Sequence, residues 1–343
     1  MKKVHVGIDL HKRYMQVAAL DEKTGELTEA RIANRQASLA RWMARFKNRS
    51  VKAVVESCYG WYWLVEALER MGHEVVLSNP VQTKAVAQAR VKTDKVDARM
   101  LAYLSRADLL PTCWISDPES RQRRELLRHR MRLVQQRTRL WNTVHAMLAK
   151  QNLASRAPTL QTKAGRQWLK GLKLQQPLKQ ILDSTVGMIG HYDEQIHSLE
   201  KQVIRSASQC SQARGLMTIP GIGPILSMTI LGEMGPASRF PTADHLAAYA
   251  GLTPTVRASG GKIRYGKISK QGNGILRWAL VEGAMRLCMS PGPICDFYRR
   301  LRGRKGMATA RVACARKLAK MIYHMLNQQI DYETFLGRAS QMG

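Results

Sequence analysis

Four carboxylates in the first hundred residues have the types and spacing of a metal-dependent phosphodiester site. Asp9 and Glu56 each end a short apolar run, and Asp94 and Asp97 lie three residues apart on one face of a predicted helix. Four carboxylates held close together repel one another strongly unless divalent cations neutralise them. Two Mg²⁺ ions bound by such a set would contact both the attacking and the leaving oxygen in phosphodiester chemistry. Each acid alone is more simply a strand-end or helix-cap residue, so the prediction depends on the complete set in a strongly basic chain.

Basic, imidazole and aromatic side chains flank the four acids. We expect the neighbouring lysines to contact nucleic-acid phosphates. These are Lys12, Lys92 and Lys95. His11, two residues after Asp9, is either a proton carrier or, as is commoner for a lone histidine, a structural residue. The aromatic residues within 59–63 are typical of a hydrophobic core, although one or two of these rings could stack on bases.

A second group of residues with chemical potential lies in the segment 253–274, which is rich in Gly, Lys and Arg. Ser259 precedes two glycines, and Ser269 lies between Lys267 and Lys270. A serine that attacks phosphate needs close backbone approach and cations that neutralise the developing charge. Composition alone favours an ordinary phosphate-binding loop without covalent chemistry, and both interpretations stay open at this point. The predicted nucleic-acid contacts in and after this segment are Lys262, Arg264, Lys267, Lys270 and Arg277.

The charge of the chain indicates a polyanionic partner. Among 343 residues, 55 Lys and Arg face 25 Asp and Glu, which gives a net charge of +30. Such a charge repels itself, and contacts with nucleic-acid phosphates offset it. An anionic membrane surface is the alternative, but no apolar run approaches the roughly 18–20 residues of a membrane-spanning helix. The N-terminal residues MKKVHVGIDLHK reach an acid too soon for a signal peptide, so we expect a cytoplasmic protein that acts at the nucleoid.

The elements that position the acids follow the order of an RNase H-like α/β domain, predicted over residues 1–112. Apolar runs and alternation predict three strands within 4–32, a helix, and a fourth strand that ends at Glu56. An amphipathic helix, a fifth strand at 74–78 and a helix that includes Asp94 follow. In such a sheet the first and fourth strands are neighbours, so Asp9 and Glu56 would lie side by side.

Long helices are predicted from residue 113 to about 211. Apolar residues near helical spacing in this Gly-poor segment predict two helices packed as a coiled-coil hairpin. Eight arginines fall within 121–139, where only Glu125 offsets them. Charge runs are usually solvated faces, but this imbalance favours a helix that faces nucleic acid. The predicted contacts are Arg121, Arg124, Arg128 and Arg132.

The last part of the chain, 212–343, is predicted to be mainly helical. Residues 218–224 read TIPGIGP, which is a Gly-x-Gly turn between two helical stretches. Gly221 and Gly223 would expose backbone N–H groups at a helix start, where a phosphate can bind. The pattern is that of a helix-hairpin-helix element, and a plain tight turn is an equal alternative.

Two blocks of motifs resemble one family. The first comprises GIDLHK with Asp9, VVES-x-x-G-x-Y with Glu56, and KTDKVDARML with Asp94 and Asp97. The second comprises TIPGIGPILSMTILGEMG, HLAAYAGLTP, SGGK and GKISKQGN. Together they are similar to the Asp-Glu-Asp-Asp transposases of bacterial insertion sequences, a group that includes Piv-type DNA invertases and bridge-RNA-guided recombinases. The two blocks bracket about residues 4 to 290.

The resemblance implies a RuvC-like N-terminal domain, a coiled-coil connector over 113–211 and a C-terminal transposase domain over 212–343. It implies that DNA is cut and rejoined through a covalent phosphoserine, with the acidic site acting in trans in a dimer or tetramer. The match to the Ser-Gly-Gly-Lys motif makes Ser259 the expected nucleophile, and Ser269 in the Ile-Ser-Lys motif is the second choice.

The expected cofactor is Mg²⁺, with Mn²⁺ as a substitute. The expected partners are donor and target DNA, a structured guide RNA encoded by the element, and further copies of the chain. Two other functions stay open from the residues themselves. One is a metal-dependent, structure-selective DNA nuclease in which water is the nucleophile. The other is a non-catalytic protein that binds RNA or DNA.

Overall fold

The computed structural model describes residues 3–86, 93–154, 159–259 and 262–341. The chain divides into two compact units, Met1–Ser116 and Asp117–Gly343, here called the N-terminal and C-terminal units. The first boundary lies close to the predicted end of the RNase H-like domain at residue 112. The connector predicted over 113–211 and the domain predicted over 212–343 fall mostly within one unit, so their separation stays a prediction.

The N-terminal unit is built on a six-stranded mixed sheet with the strand order β3-β2-β1-β4-β5-β6. Strands β1, β2 and β3 form an antiparallel meander, β1, β4 and β5 are parallel, and β6 is antiparallel to β5. The predicted RNase H-like α/β fold is therefore confirmed. The strands are β1 Lys3–Leu10, β2 Tyr14–Asp21, β3 Leu27–Ala33, β4 Ser50–Glu56, β5 Glu74–Ser78 and β6 Thr112–Cys113. The helices are α1 Gln36–Met43, α2 Trp61–Arg70, α3 Pro80–Val86 and α4 Asp94–Arg106.

One face of β1 packs into the main apolar core of this unit. Its even-numbered residues Val6 and Ile8 are fully buried, together with Leu39 of α1 and Leu64 of α2. Because side chains alternate along a strand, this places the odd-numbered residues of β1 on the opposite face. Burial of apolar side chains on the first face fixes the register of the strand, since a shift by one residue would exchange the two faces.

The odd-numbered residues of β1 lie under helix α4. The ring atom Nδ1 of His5 is 2.8 Å from the hydroxyl oxygen of Ser105 near the end of that helix. At Gly7 the helix approaches so closely that a Cβ would lie 2.1 Å from the carbonyl oxygen of Ala98. Glycine is therefore required for this close packing. Asp9 belongs to the same face, so the fold brings it toward the beginning of α4.

The C-terminal unit is mainly helical, as predicted, and contains one β-hairpin. Its long helices Pro118–Lys150 and Leu178–Gln209 pack along each other, and ion pairs between them join Arg130 to Glu200 and Arg137 to Asp193. A coiled-coil geometry for this pair stays a prediction. The helices are α5 Pro118–Lys150, α6 Lys163–Gly171, α7 Leu178–Gln209, α8 Ser211–Met217, α9 Pro224–Met234, α10 Ala243–Tyr249, α11 Gly274–Leu287, α12 Pro293–Lys305, α13 Met307–Gln328 and α14 Tyr332–Gln341. The hairpin strands are β7 Pro254–Ser259 and β8 Lys262–Ile268.

The core of the C-terminal unit is formed by α8, α9, α11 and α13, with Leu216, Ile230, Leu280 and Leu318 among its buried residues. Several side chains of the hairpin of β7 and β8 are exposed to solvent, and Tyr265 is 72% exposed. Within the described part of the chain, no helix combines the length and the apolar character needed to cross a membrane.

Candidate active site

Two of the predicted acids leave neighbouring strands at the same edge of the sheet. Ile8 of β1 pairs with Val55 of β4 in parallel register, and Asp9 and Glu56 are the next residue of each strand. Directly paired positions of neighbouring strands present their side chains on the same face. Asp9 is 8% exposed, whereas Glu56 is half-buried. Asp9 and Glu56 therefore end neighbouring parallel strands, as the sequence predicts.

The other two acids begin helix α4. Thr93 caps the helix, and its hydroxyl oxygen accepts a hydrogen bond of 3.3 Å from the backbone N–H of Val96. Asp94 and Asp97 lie in the first turn. The partial positive charge of a helix N-terminus stabilises carboxylates there. Gly7, by admitting the helix against β1, sets the distance between this turn and the end of the strand.

Three side chains meet where β1 ends and α4 begins. The Nε2 atom of His11 lies 2.9 Å from Oδ2 of Asp9 and 3.4 Å from Oδ2 of Asp94. One ligand atom from each of the three residues lies within 4.8 Å of the other two, so the group could hold a divalent metal ion. Glu56 and Asp97 fall outside this group of three.

Glu56 and Asp97 nevertheless act electrostatically on the same neighbourhood. The pKa of Asp9 is raised chiefly by burial; the hydrogen bond from His11 opposes this shift, and the charges of Asp94 and Asp97 add to it. Burial also raises the pKa of the Cys58 thiol, with smaller contributions from the charges of Glu56 and Asp9. A cation bound here would favour the ionised form of Asp9, because an opposite charge lowers the pKa of a carboxyl group.

Tyr14 and Arg31 support this site, and sequence reasoning missed both. The hydroxyl of Tyr14 donates a hydrogen bond of 2.6 Å to Oδ2 of Asp94, which lowers the pKa of Asp94 and raises that of Tyr14. The rings of Tyr14 and His11 stack with centroids 4.6 Å apart, and the Arg31 guanidinium lies 3.7 Å from the Tyr14 ring centroid. The turn between β1 and β2 is the signal that could have found Tyr14, because it returns the chain to the same edge. The sequence alone leaves His11 as either a proton carrier or a structural residue, and the structure places it between Asp9 and Asp94.

The two candidate serines lie at opposite ends of the hairpin. Ser259 is the exposed last residue of β7 and pairs in register with Lys262 of β8. By strand alternation it shares a face with exposed Arg264. Ser269 follows β8, and its backbone N–H donates to the carbonyl of Thr253 at the base of the hairpin (2.9 Å). The glycines 260 and 261 and the side chain of Lys262 lie outside the described part of the structure.

The arginines predicted to face nucleic acid from α5 differ in their surroundings. Arg121 is buried. Arg124 donates a hydrogen bond of 2.6 Å to the carbonyl of Gly232, and Arg128 binds the carboxylate of Glu233. Arg132 is exposed. Three of these four arginines are thus buried or bonded to other groups of the protein, and the nucleic-acid role of all four stays a prediction.

The remaining predicted contacts are mostly at the surface. Lys92 lies outside the described residues. The guanidinium of Arg277 donates to the carbonyl oxygens of Ala250 and Lys270. Gly221 has a φ of +93°, and a Cβ there would lie 2.4 Å from Cβ of Arg286, so close packing explains this glycine without a phosphate. The exposed members of the predicted set are Lys12, Lys95, Arg264, Lys267 and Lys270, and Gly223 precedes α9 as its N-cap residue.

Comparison with known proteins identifies the family. Residues 6–152 match the model of the DEDD transposases of the IS110 type, and residues 213–299 match the model described as transposase of the IS116/IS110/IS902 family. The chain belongs to the IS110-type transposases. The first match contains the four acids and the second contains both serines. The predicted resemblance and the predicted enzyme class, a DNA transposase or recombinase, are therefore confirmed.

Relatives match this IS110-type transposase over nearly its whole length. A probable family 20 transposase of Pseudomonas aeruginosa is 27% identical, over 95% of this chain and 98% of that protein. The transposase of insertion sequence IS1111A of Coxiella burnetii is 27% identical, over 97% and 92% respectively. The pilin gene-inverting protein of Moraxella bovis is also 27% identical, over 97% and 98%.

Proposed function

We propose that this IS110-type transposase cuts and rejoins DNA with a divalent-metal site in its N-terminal unit and a serine nucleophile in its C-terminal unit. The observation that carries the proposal is the convergence of Asp9, His11 and Asp94 within 4.8 Å at the end of β1 in an RNase H-like sheet. The names of the relatives, which refer to transposition and to gene inversion, support the same reaction class.

The metal would be held by the four acids. Mg²⁺ is the first choice and Mn²⁺ a substitute, because carboxylate oxygens are the ligands that both ions prefer. When bound, such an ion neutralises charge that develops on phosphate oxygens. Asp9 and Asp94 belong to the group of three. With Glu56 and Asp97 completing the ligand set, His11 would orient Asp9 and Tyr14 would orient Asp94 from the outer shell of the metal site. The proposed ligands are Asp9, Glu56, Asp94 and Asp97.

Ser259 would act as the nucleophile, with Ser269 as the second choice. Its hydroxyl oxygen loses a proton and forms a bond to phosphorus, and the bond from phosphorus to the leaving strand's oxygen breaks, with that oxygen taking up a proton. Attack by the hydroxyl of another strand on the phosphoserine reverses these changes and regenerates the serine. The exposed position of Ser259 and the basic character of β8 support this assignment.

The same proposal includes the nucleic acids and the assembly. The net charge of +30 supports binding to donor and target DNA, and the resemblance supports a structured guide RNA encoded by the element. The acids and Ser259 belong to different units of the chain, which supports a dimer or tetramer in which one copy's acids act with another copy's serine. The coiled-coil and helix-hairpin-helix interpretations belong to this proposal as well.

A metal-dependent nuclease is the alternative function. It is favoured by one observation: Asp9, His11 and Asp94 all belong to the N-terminal unit, so water activated by a metal there would need no serine. The hairpin would then only bind phosphate.

Trapping of a covalent adduct distinguishes the two functions. The full-length protein, produced with the transcript of the DNA flanking its gene, is incubated with that flanking DNA and Mg²⁺ and then denatured. We expect a protein–DNA adduct that is lost in Ser259→Ala and retained in Ser269→Ala. In Asp9→Asn we expect neither cleaved DNA nor an adduct. Cleaved DNA without any adduct in the unaltered protein would favour the nuclease. An adduct that persists in Ser259→Ala and disappears in Ser269→Ala would move the nucleophile to Ser269.

A further inference from the structure

Helix α9 carries a buried carboxylate that the proposed chemistry does not use. Glu233 is the one charged residue of this helix; it lies next to the last residue of α9 and is 1% exposed. A carboxylate removed from water is costly unless charged and hydrogen-bonding partners surround it. A well-packed apolar residue would fill the same space without that cost, so the partners of Glu233 indicate what the charge holds in place.

Side chains from two other elements, helix α5 and the start of helix α11, surround this carboxylate. Arg128 of α5 forms a two-pronged contact, from Nε to Oε1 (2.7 Å) and from Nη2 to Oε2 (2.8 Å). The side-chain amide of Asn273 donates to Oε2 (2.7 Å). Arg124 donates to the carbonyl oxygens of Gly232 and Glu233, which satisfies the end of α9. Burial would raise the pKa of Glu233, but the hydrogen bonds from Arg128 and Asn273 outweigh it, and the pKa lies below its usual value.

Asn273 connects the carboxylate to the start of helix α11. Its side-chain oxygen accepts hydrogen bonds from the backbone N–H groups of Ile275 (3.1 Å) and Leu276 (3.0 Å), so it is the N-cap of α11. Its backbone N–H donates to the carbonyl of Tyr249 at the end of α10 (2.7 Å). Both ends of the Asn273 amide are therefore committed, one to the helix and the other to Glu233.

Contacts of the residues next to Asn273 fix the base of the hairpin of β7 and β8. Gly272 has a φ of +132°, and a Cβ there would lie 2.3 Å from the carbonyl oxygen of Tyr249, so the chain touches the end of α10 directly. Arg277 bridges the carbonyl oxygens of Ala250 and Lys270, which lie on the two sides of the hairpin. The backbone N–H of Ser269 closes the hairpin through its bond to Thr253.

We propose that Glu233 is a positioning residue for the serine hairpin, acting through Asn273. Its charge aims the Asn273 amide, and Asn273 fixes the segment 269–272 from which β8, and with it Ser259, extends. Replacement of a buried ion pair by apolar residues often leaves stability unchanged. The role assigned to this pair is therefore the geometry that its two-pronged contact and the Asn273 bond impose, not added stability. This inference rests on the proposed function to the extent that the positioned group is a nucleophile.

Two variants and one matched control test the inference in the full-length protein with its transcript. Glu233→Gln keeps the shape of the side chain and removes its charge. Asn273→Ser keeps an oxygen that can cap α11 and removes the amide donor. Glu282→Gln makes the same chemical change as the first variant at an exposed acid of α11 and serves as the control.

Two readouts separate positioning from simple stability. The first is the rate of covalent adduct formation at saturating DNA, alongside the affinity for the same DNA. We expect the rate to fall roughly 10- to 100-fold in both variants, as for a reacting group displaced by about 1 Å, with unchanged affinity and an unchanged rate in Glu282→Gln. The second is hydrogen exchange at the backbone amides of Ser269 and Asn273. We expect both amides to exchange faster in the two variants, while amides of α7 stay as they were.

Each outcome decides the inference. Unchanged exchange at Ser269 and Asn273 in folded variants would overturn it. Faster exchange with an unchanged adduct rate would reduce Glu233 to a structural residue and also overturn it. If Glu233→Gln does not fold, Asn273→Ser carries the test. If the unaltered protein forms no adduct, the proposed nucleophile fails, and the exchange measurement still decides whether Glu233 holds the base of the hairpin.

Discussion

The contact between Gly7 and helix α4 offers a sharp test of how the fold builds the acidic site. In Gly7→Ala the new Cβ would lie 2.1 Å from the carbonyl oxygen of Ala98, 2.8 Å from the backbone nitrogen of Ala102 and 2.9 Å from Cβ of Leu101. All three atoms belong to α4, and two belong to its backbone, so no side-chain rotation can relieve the overlap. The helix must move away from β1 as a body.

The size of that movement follows from ordinary contact distances. Carbon atoms in contact lie roughly 3.5 Å from their neighbours, so the carbonyl of Ala98 must withdraw by about 1 Å or more. Overpacking of this kind costs about 1–3 kcal/mol, and the backbone overlap places Gly7→Ala toward the upper end. Because Asp94 begins the same helix, it moves relative to Asp9. A displacement of about 1 Å in a catalytic constellation is expected to lower the cleavage rate roughly 100-fold.

Hydrogen exchange and cleavage measure the two effects separately. The slowest backbone amides of β1 report the free energy of opening of the N-terminal unit, and Mg²⁺-dependent cleavage of flanking DNA reports the site. Gly187→Ala in α7 is the control, because a Cβ there meets nothing within 4 Å and alanine favours the helix. A Gly7→Ala protein with unaltered exchange in β1 and a cleavage rate within about twofold of the original would refute the packing that positions Asp94.

Three further outcomes are expected. Tyr14→Phe removes the hydrogen bond to Asp94 and should weaken Mn²⁺ binding, measured by calorimetry, about 10-fold; unchanged affinity would contradict an orienting role. Because the folded pKa of Glu233 lies below the ordinary 4.5, its stabilisation is present above pH 4.5 and is lost as the pH falls through the folded value, so urea midpoints should fall with acid more steeply than in Glu233→Gln. Arg132→Ala should reduce the slope of log affinity for DNA against log salt concentration by about 1 in magnitude. An unchanged slope would show that Arg132 contacts no phosphate.

Much of the acidic site could be predicted from local sequence rules. Apolar runs of strand length end on Asp9 and Glu56, and the three-residue spacing of Asp94 and Asp97 places both on one helical face. The order of the elements then indicates an RNase H-like sheet, in which the two strand ends are neighbours. These inferences succeed because burial of alternate apolar residues fixes the strand register locally.

The hairpin of the C-terminal unit was only partly predictable. The Gly-, Lys- and Arg-rich composition of 253–274 indicates an exposed loop or hairpin, and the structure contains the exposed hairpin of β7 and β8. Composition did not reveal what anchors it. The anchor is a network around Glu233, which in the sequence is a single acid in an otherwise uncharged helix.

Tertiary structure alone decided which charges meet. In the sequence the arginine-rich stretch of α5 resembles a uniform basic face. In the structure Arg128 binds the carboxylate of Glu233, which lies 105 residues further along the chain. In the same way His11 and Tyr14 join the acids because the turn between β1 and β2 returns the chain to the edge where α4 begins. The sequence determined which residues are acidic, basic or apolar and which element carries each one. Pairing of charges depends on distances of a few ångströms between elements far apart in sequence, and only the packed fold sets those distances.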